Sequence, residues 1–229
     1  MKMKQVAMLM LMLFFAVSCS KKEDSLIVAN VSGNIGGHDY VDLGLPSGTL
    51  WATCNVGTDP VDGFNHSSEL VGDYYAWGEI YRKLDFCWDN YKYYESGKVT
   101  KYCETDSLMV LEPEDDIAYR YWHYGWHIPT KEQWEELVQN TTSVFSSLNG
   151  VKGRFFTAAN GNSLFLPGTG TIAAENPKFG NYWSSSVCTT SSWGAWGGSW
   201  EFYFDGSHVN VTPFGRFYGF TIRPVYLPD

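Results

Sequence analysis

The stretch WEFYFDGSHVNV, residues 200–211, constrains the fold more than any other part of the chain. Its side chains alternate on both sides of an Asp-Gly pair, and such a pair between two alternating runs is a strong signal for a β-hairpin. Alternation places the apolar side chains on one face of the hairpin: Trp200, Phe202, Phe204, Val209 and Val211. The opposite face carries a mixed polar and aromatic set: Glu201, Tyr203, His208 and Asn210. We expect the apolar face to be core, together with Trp183 upstream.

The residues around this hairpin have the composition of a binding surface. Between residues 181 and 211 the chain contains no Lys or Arg and is rich in Trp, Ser and Gly. Aromatic rings supply contact area at a low entropic cost, and small polar residues supply adaptable hydrogen bonds. Trp193 and Trp196 lie in a Ser/Gly loop that offers them little to pack against. We therefore predict a ligand-binding face formed by Ser186, Trp193, Trp196, Glu201, Tyr203, His208, Asn210 and Phe214.

One segment has a clear helical pattern, PTKEQWEELVQN at residues 129–140. Thr130 can cap its N-terminus, and Gln133 lies three residues further on, as in a capping box. Three apolar side chains share one face of this helix and are expected to be buried: Trp134, Leu137 and Val138.

The remaining patterns predict short strands and loops. Residues 40–45 and 50–56 form a predicted strand pair around a Pro-Ser-Gly-Thr turn. Residues 154–158 and 163–170 flank a second turn signal, Ala-Asn-Gly-Asn, and residues 219–225 form a closing strand. These elements predict an α+β fold with small twisted antiparallel sheets, one or two helices and extensive loops.

The first residues have the pattern of a secretory signal peptide. Lys2 and Lys4 precede an apolar run of 12 residues, Val6 to Val17. That run is too short to span a bilayer, which takes about 20 residues. It ends in Ala-Val-Ser-Cys, which resembles a bacterial lipobox. We therefore expect cleavage before Cys19 and lipidation of Cys19, which would attach the protein to a membrane.

This anchor divides the chain into a signal peptide (1–18), a lipidated linker (19–37) and one domain (38–229). The residues SKKED that follow Cys19 resemble the export signal of Bacteroidetes surface lipoproteins. The resemblance implies a lipid-anchored position in the outer membrane, facing the cell exterior. A formal charge of −9 disfavours a nucleic-acid partner, since phosphate binding requires a basic patch.

The domain contains four further cysteines: Cys54, Cys87, Cys103 and Cys188. An even number in an oxidising compartment permits disulfides, and the sequence leaves their pairing open, with buried free thiols as the alternative. We favour a Cys87–Cys103 bond, because it closes the shortest loop. None of the pairs has the Cys-x-x-Cys spacing of a zinc or redox site.

Two other clusters invite a metal hypothesis. The acidic run Glu-Pro-Glu-Asp-Asp at 112–116 could bind calcium, or Asp115 and Asp116 could cap the turn that follows. His123 and His127 have the spacing of two zinc ligands on a helix, but Gly and Pro nearby argue against a helix. We favour capping and ring packing, and we predict no metal site and no cofactor.

Three segments together resemble one family. They are YVDLGLPSGTLWATCNVG with GDYYAWGE, then EPEDDIAYRYWHYGWHIPTKEQWEEL, and finally NYWSSS followed by GFTIRPV. This set is similar to the Fibrobacter succinogenes major paralogous domain of Bacteroidetes lipoproteins. The resemblance implies a C-type-lectin-like fold, in the version shared with formylglycine-generating enzymes. Those enzymes use a pair of cysteines near their C-terminal strands, where this chain has Cys188 alone, so the resemblance does not imply their activity.

The ending RFYGFTIRPV is also similar to that of the variable proteins of diversity-generating retroelements. That likeness implies diversified positions at Ser186, Thr189, Tyr203, His208, Asn210 and Phe214, with Trp193, Trp196 and Trp200 as fixed scaffold.

Together, the residues and the resemblance predict a cell-surface lipoprotein with a non-catalytic recognition domain for an external glycan or protein. The alternatives are a structural adhesin, such as a fimbrial-tip component, and an enzyme related to the formylglycine-generating group.

Overall fold

The computed structural model describes residues 29–58, 71–170, 178–190, 192–194 and 196–228. The predicted signal peptide, the lipidation site Cys19 and the first part of the predicted linker lie outside these residues. Within them, none of the helices has the length and apolar character needed to cross a bilayer.

Two α-helices and twelve strands make up the described fold. The helices are α1 (Ile117–Trp122) and α2 (Lys131–Asn140), and a short 3-10 turn covers Trp88–Asn90. The first strands are β1 (Gly33–Ile35), β2 (His38–Asp42), β3 (Leu50–Ala52), β4 (Tyr94–Glu95) and β5 (Lys98–Val99). After the helices follow β6 (Thr141–Leu148), β7 (Val151–Ala158), β8 (Ser163–Pro167), β9 (Gly180–Cys188), β10 (Gly198–Phe204), β11 (Val209–Gly215) and β12 (Val225–Tyr226).

The strands form small sheets in which all pairs of neighbouring strands are antiparallel. Their orders are β1-β2-β3-β12, β11-β10-β9, β6-β7-β8 and β4-β5. Small antiparallel sheets with few helices confirm the predicted α+β class at this coarse level. The predicted hairpins at residues 40–56, 154–170 and 200–211 are confirmed as β2–β3, β7–β8 and β10–β11.

The predicted helix is confirmed as α2, with its capping box. The Thr130 hydroxyl accepts a hydrogen bond from the Gln133 amide, and the Gln133 side chain accepts one from the Thr130 amide. Trp134 and Leu137 are fully buried. Val138 is 36 % exposed, so its predicted burial was wrong, because the sheets cover only a narrow stripe of the helix.

The sheet β9–β10–β11 separates two hydrophobic clusters. One face carries Phe202 and Phe204, which pack towards α2. The opposite face carries Trp183, whose ring packs 4.5 Å from the ring of Phe220. Trp200 lies on the α2 face as predicted, but it is only half buried. It sits at the first turn of α2, where the Lys131 ammonium lies 5.0 Å from its ring and covers it in place of an apolar neighbour.

The closing segment is less regular than predicted. Residues 219–225 do not form one continuous strand: Phe220 pairs with Tyr75, Thr221 pairs with Tyr182, and regular pairing resumes only at β12. Arg223 between these points is 1 % exposed. Its guanidinium donates to the Asn55 side chain and to the carbonyls of Ala52 and Phe165. The segment therefore connects several sheets and does not extend a single one.

The predicted linker overlaps the folded domain. Residues 33–35 form β1, which pairs with β2. Before it, the Asn30 amide donates to the Ser163 carbonyl and the Ser32 amide donates to the Tyr40 carbonyl. Residues 30–37 are thus part of the fold and not a flexible tether.

The predicted disulfide is also wrong. Cys54, Cys87, Cys103 and Cys188 are all free thiols. Cys103 is buried beside a turn that the Asp106 carboxylate holds, whereas the Cys87 thiol lies 3.8 Å from the Asp85 carboxylate. The loop between them is therefore held by hydrogen bonds and packing.

Candidate functional site

A cavity of about 310 Å³ lies on the face of the β9–β10–β11 sheet that is turned away from α2. Its lining comes from the start of β9, from β10, from β11 and from the segment after β11. The lining residues are Phe179, Asn181, Glu201, Tyr203, Phe214, Tyr218 and Phe220. This volume is at the lower end of the range of small-molecule sites, about 300–1,000 Å³.

Strand alternation explains how these side chains meet. Glu201 and Tyr203 are two residues apart on β10 and so point to the same side. Asn181 on β9 pairs directly with Tyr203, and Phe214 on β11 pairs with Ser199, two residues before Glu201. The turn after β11 then returns the chain over this face, which adds Tyr218 and Phe220.

The aromatic walls form two groups of contacting rings. Phe214 lies 4.7 Å from Tyr218 and 5.2 Å from Phe220, in steeply inclined arrangements. Phe179 lies 6.3 Å from Tyr203 on the other side. Inclined ring pairs at such distances are favourable, so the walls support one another without a ligand.

Glu201 is the carboxyl group of this cavity. Its side chain is 2 % exposed, and its Oε2 atom has no hydrogen-bond partner among the described residues. Burial raises the pKa of Glu201 to about 8, because the ionised form is poorly solvated there. The carboxyl is therefore mostly protonated at neutral pH when the cavity holds no positive charge.

Two other polar groups of the lining already have partners. The Asn181 amide nitrogen donates to the Gly170 carbonyl at 3.2 Å. The Tyr203 hydroxyl donates to the Asp205 carboxylate at 3.1 Å. Glu201 is thus the acid group that the fold buries in this cavity without compensating it.

The structure brings three of the predicted ligand-binding residues together: Glu201, Tyr203 and Phe214 line the cavity. His208 and Asn210 do not join them. Both are exposed. His208 lies in the turn of the hairpin, where the Asp205 carboxylate accepts hydrogen bonds from the Ser207 and His208 amides. Asn210 pairs with Tyr203 across the hairpin but does not line the cavity.

Ser186 also lies elsewhere, and its hydroxyl has a structural partner. The side chain is 7 % exposed and accepts a hydrogen bond from the Lys131 amide at 3.0 Å. It thereby satisfies a free amide in the first turn of α2.

Trp193 and Trp196 pack more closely than their Ser/Gly loop suggested. The Trp193 ring lies 5.5 Å from Phe214 and 5.4 Å from Tyr218, so it supports the cavity wall from behind. Trp196 packs against the hydrophobic cluster that contains Trp183 and Phe220. The expectation that this loop offers little to pack against was wrong, because the turn after β11 folds over it.

Four lining residues were not predicted from the sequence: Phe179, Asn181, Tyr218 and Phe220. Asn181 lies two residues before Trp183 on β9, so strand alternation could have assigned it to the same face. The position of Tyr218 and Phe220 depends on how the chain returns after β11, which no local pattern specifies.

The acidic run at 112–116 does not leave an open cation site. Carboxylate oxygens of Glu112, Glu114 and Asp115 lie within 4.8 Å of one another. The Lys101 ammonium sits among them, at 2.6, 3.5 and 2.7 Å respectively. A lysine therefore occupies the position that a calcium ion would need.

The capping prediction holds for one of its two residues. Asp116 caps α1 by accepting hydrogen bonds from the Ala118 and Tyr119 amides. Asp115 is not a cap: its carboxylate binds Lys101 and Lys92, because both ammonium groups reach it.

The two histidines are not a helical pair, since α1 ends at Trp122. His123 follows with a φ of 57°, and the His127 ring contacts the Gly125 carbonyl at 3.1 Å.

Fold and site together define an α+β domain of small antiparallel sheets, with an aromatic cavity around one buried carboxyl group. The chain matches no family model, no curated protein and no solved structure.

Proposed function

We propose that this chain is a lipid-anchored protein of the outer bacterial surface whose C-type-lectin-like domain binds an external glycan or protein ligand without catalysis. The observation that carries the binding proposal is the cavity around Glu201. A small domain gains nothing in stability from an uncompensated carboxyl group in an aromatic cavity, since burial of an unpartnered polar group is costly. Such an arrangement is favoured where a ligand supplies the missing partner.

The proposed anchor and surface location rest on the N-terminal sequence. An apolar run of signal-peptide length followed by Cys19 favours lipidation. The resemblance of three segments to a lectin-like family favours recognition as the role of the domain.

The lining favours binding over hydrolysis of a glycan. Glycoside hydrolysis uses a pair of carboxyl groups on opposite sides of the bond. The described lining of this cavity contains one carboxyl group, Glu201.

The test is a binding screen of the purified protein against a glycan array and a panel of surface proteins. We expect Tyr203→Ala and Phe214→Ala to lower binding at least tenfold, because both remove a wall of the cavity. Asn210→Ala is the matched control, since Asn210 is on the same hairpin but exposed and outside the lining. If Asn210→Ala lost binding while the cavity variants Tyr203→Ala and Phe214→Ala bound fully, the ligand would bind outside the cavity.

A further inference from the structure

We propose that the cavity binds an alkylammonium group, with Glu201 as its counter-ion and the aromatic side chains as its walls. This inference rests on the proposed binding function and names the class of ligand group.

Glu201 places an acid group in the cavity without a charged partner. The residue is 2 % exposed, and its Oε2 atom has no hydrogen-bond partner among the described residues. The buried guanidinium in the turn after β11, Arg216, already donates to the carbonyls of Gly198, Lys101 and Tyr102. The described lining of the cavity contributes no positive charge, so Glu201 is mostly neutral when the cavity is empty, and a cationic ligand would supply the charge that pairs with its ionised form. Burial of a charge is tolerated when it is paired with an opposite one.

The walls of the cavity are mainly aromatic. Rings surround the carboxyl group on both sides, with Phe179 and Tyr203 on one side and Phe214, Tyr218 and Phe220 on the other. The face of an aromatic ring attracts a cation, and an aromatic cage is the common means of binding alkylated ammonium groups. The alkyl substituents of such a group would fill the apolar part of the cavity.

The polar groups of the lining disfavour an anionic ligand and a neutral sugar. An anionic ligand would need a Lys or Arg, and the described lining contains neither. A neutral sugar would need several free donors and acceptors for its hydroxyls. The Asn181 amide nitrogen and the Tyr203 hydroxyl already donate within the fold, which leaves the Tyr218 hydroxyl and the Glu201 carboxyl for the hydroxyls of a sugar.

Binding should be linked to proton release. Besides Glu201, the titratable groups that line the cavity are Tyr203 and Tyr218, and Asp205 contacts the Tyr203 hydroxyl. Tyr182 on β9 belongs to the hydrophobic cluster on the α2 side of the sheet. The β9 and β11 residues beside Glu201, Trp183 and Thr212, do not titrate. Since burial raises the pKa of Glu201 to about 8, a cation must first displace its proton at neutral pH. As the pH rises towards that pKa, the affinity for the cation should therefore increase about tenfold per pH unit.

The experiment is calorimetric titration at pH 6.5 and pH 8.5 with choline and with 3,3-dimethylbutan-1-ol, which has the same shape but no charge. Nα-acetyl-lysine amide and glucosamine serve as further arms, which separate a protein amine from an amino sugar as the natural source. The variants are Glu201→Gln and, as the matched control, Glu132→Gln on the exposed side of α2.

We expect at least one ammonium compound to bind more than tenfold tighter than the neutral alcohol. Its affinity should be higher at pH 8.5 than at pH 6.5. We also expect proton release, and loss of both effects in Glu201→Gln only. Equal, pH-independent binding of choline and the alcohol would overturn the cation assignment while leaving a ligand cavity. Absence of binding by every ammonium compound would also overturn it. The proposed function would still be decided by the Tyr203→Ala and Phe214→Ala variants on the arrays.

Discussion

The Phe202 ring stacks on the Trp134 indole at 4.3 Å with an angle of 8° between their planes. Both side chains are fully buried, and they join β10 to α2. Because side chains alternate along a strand, this contact fixes Glu201, the preceding residue, on the opposite face. One strand thus builds the core on one side and the cavity on the other.

We expect Phe202→Ala to lower the free energy of unfolding by about 3–5 kcal/mol, as is usual when a large ring is removed from a core. Phe202→Leu should cost about 1 kcal/mol or more and serves if the alanine variant does not fold. Urea unfolding followed by Trp fluorescence measures the change. Val138→Ala on α2 is the control, since Val138 is 36 % exposed and should change stability by about 0.5 kcal/mol or less. Equal losses in the two alanine variants would contradict the assigned core.

Glu201 should make stability depend on pH. Burial raises its pKa in the folded protein to about 8, from an ordinary value of 4.5. Between these values the folded state holds a proton that the unfolded state has released, so stability falls as pH rises from about 4.5 to 8 and is constant above. At 1.36 kcal/mol per pKa unit the loss has an upper bound of roughly 4–5 kcal/mol.

The measurement is urea unfolding at pH 5, 7 and 9 in wild type and Glu201→Gln. The burial of Asp116 raises its pKa to about 6, so other groups contribute to the wild-type curve. The difference between the two proteins isolates Glu201. If the free energy of unfolding depended on pH in the same way in both proteins, Glu201 would not be an uncompensated buried group.

Local patterns predicted the elements whose signals lie within a few residues. The capping box at Thr130 and the Asp-Gly turn at Asp205 each specify their element by short-range hydrogen bonds, and both were found where expected. The strand β6 was missed, because its side chains alternate between half-buried and exposed positions and give no apolar run. The irregular path of residues 219–225 was missed because distant partners, such as Asn55 and Phe165, determine it.

The site was predicted only as far as alternation along β10 reaches. Glu201 and Tyr203 were placed on one face correctly, but that face was expected to be exposed. It is covered because Tyr218 and Phe220 return over it, which depends on long-range packing. Ser186 was misplaced for a register reason: Ser199 pairs with Val187 and Glu201 pairs with Trp183, so residues 184–186 lie opposite Trp200 alone.

Arg223 should be sensitive to a substitution that keeps its charge. Lysine cannot reproduce the planar set of bonds to Asn55, Ala52 and Phe165. We expect Arg223→Lys to lower the free energy of unfolding by about 2–3 kcal/mol, because buried acceptors lose their donors. Arg120→Lys on the exposed side of α1 is the control and should be near neutral. A near-neutral Arg223→Lys would contradict the role of these bonds in holding the closing segment.

Sequence variation at the 3′ end of the gene should follow the structure, if the likeness to diversified proteins extends to the gene. We expect substitutions at Tyr203, His208, Asn210 and Phe214, whose side chains face the cavity or solvent. Ser186 should stay constant, because its buried hydroxyl accepts the hydrogen bond of the Lys131 amide in the first turn of α2. Deep sequencing of codons 181–229 in many cells of one strain measures this. If codons 181–229 were uniform, the diversification hypothesis would be wrong and the protein would have one fixed ligand. Frequent substitution at Ser186 would contradict its structural role.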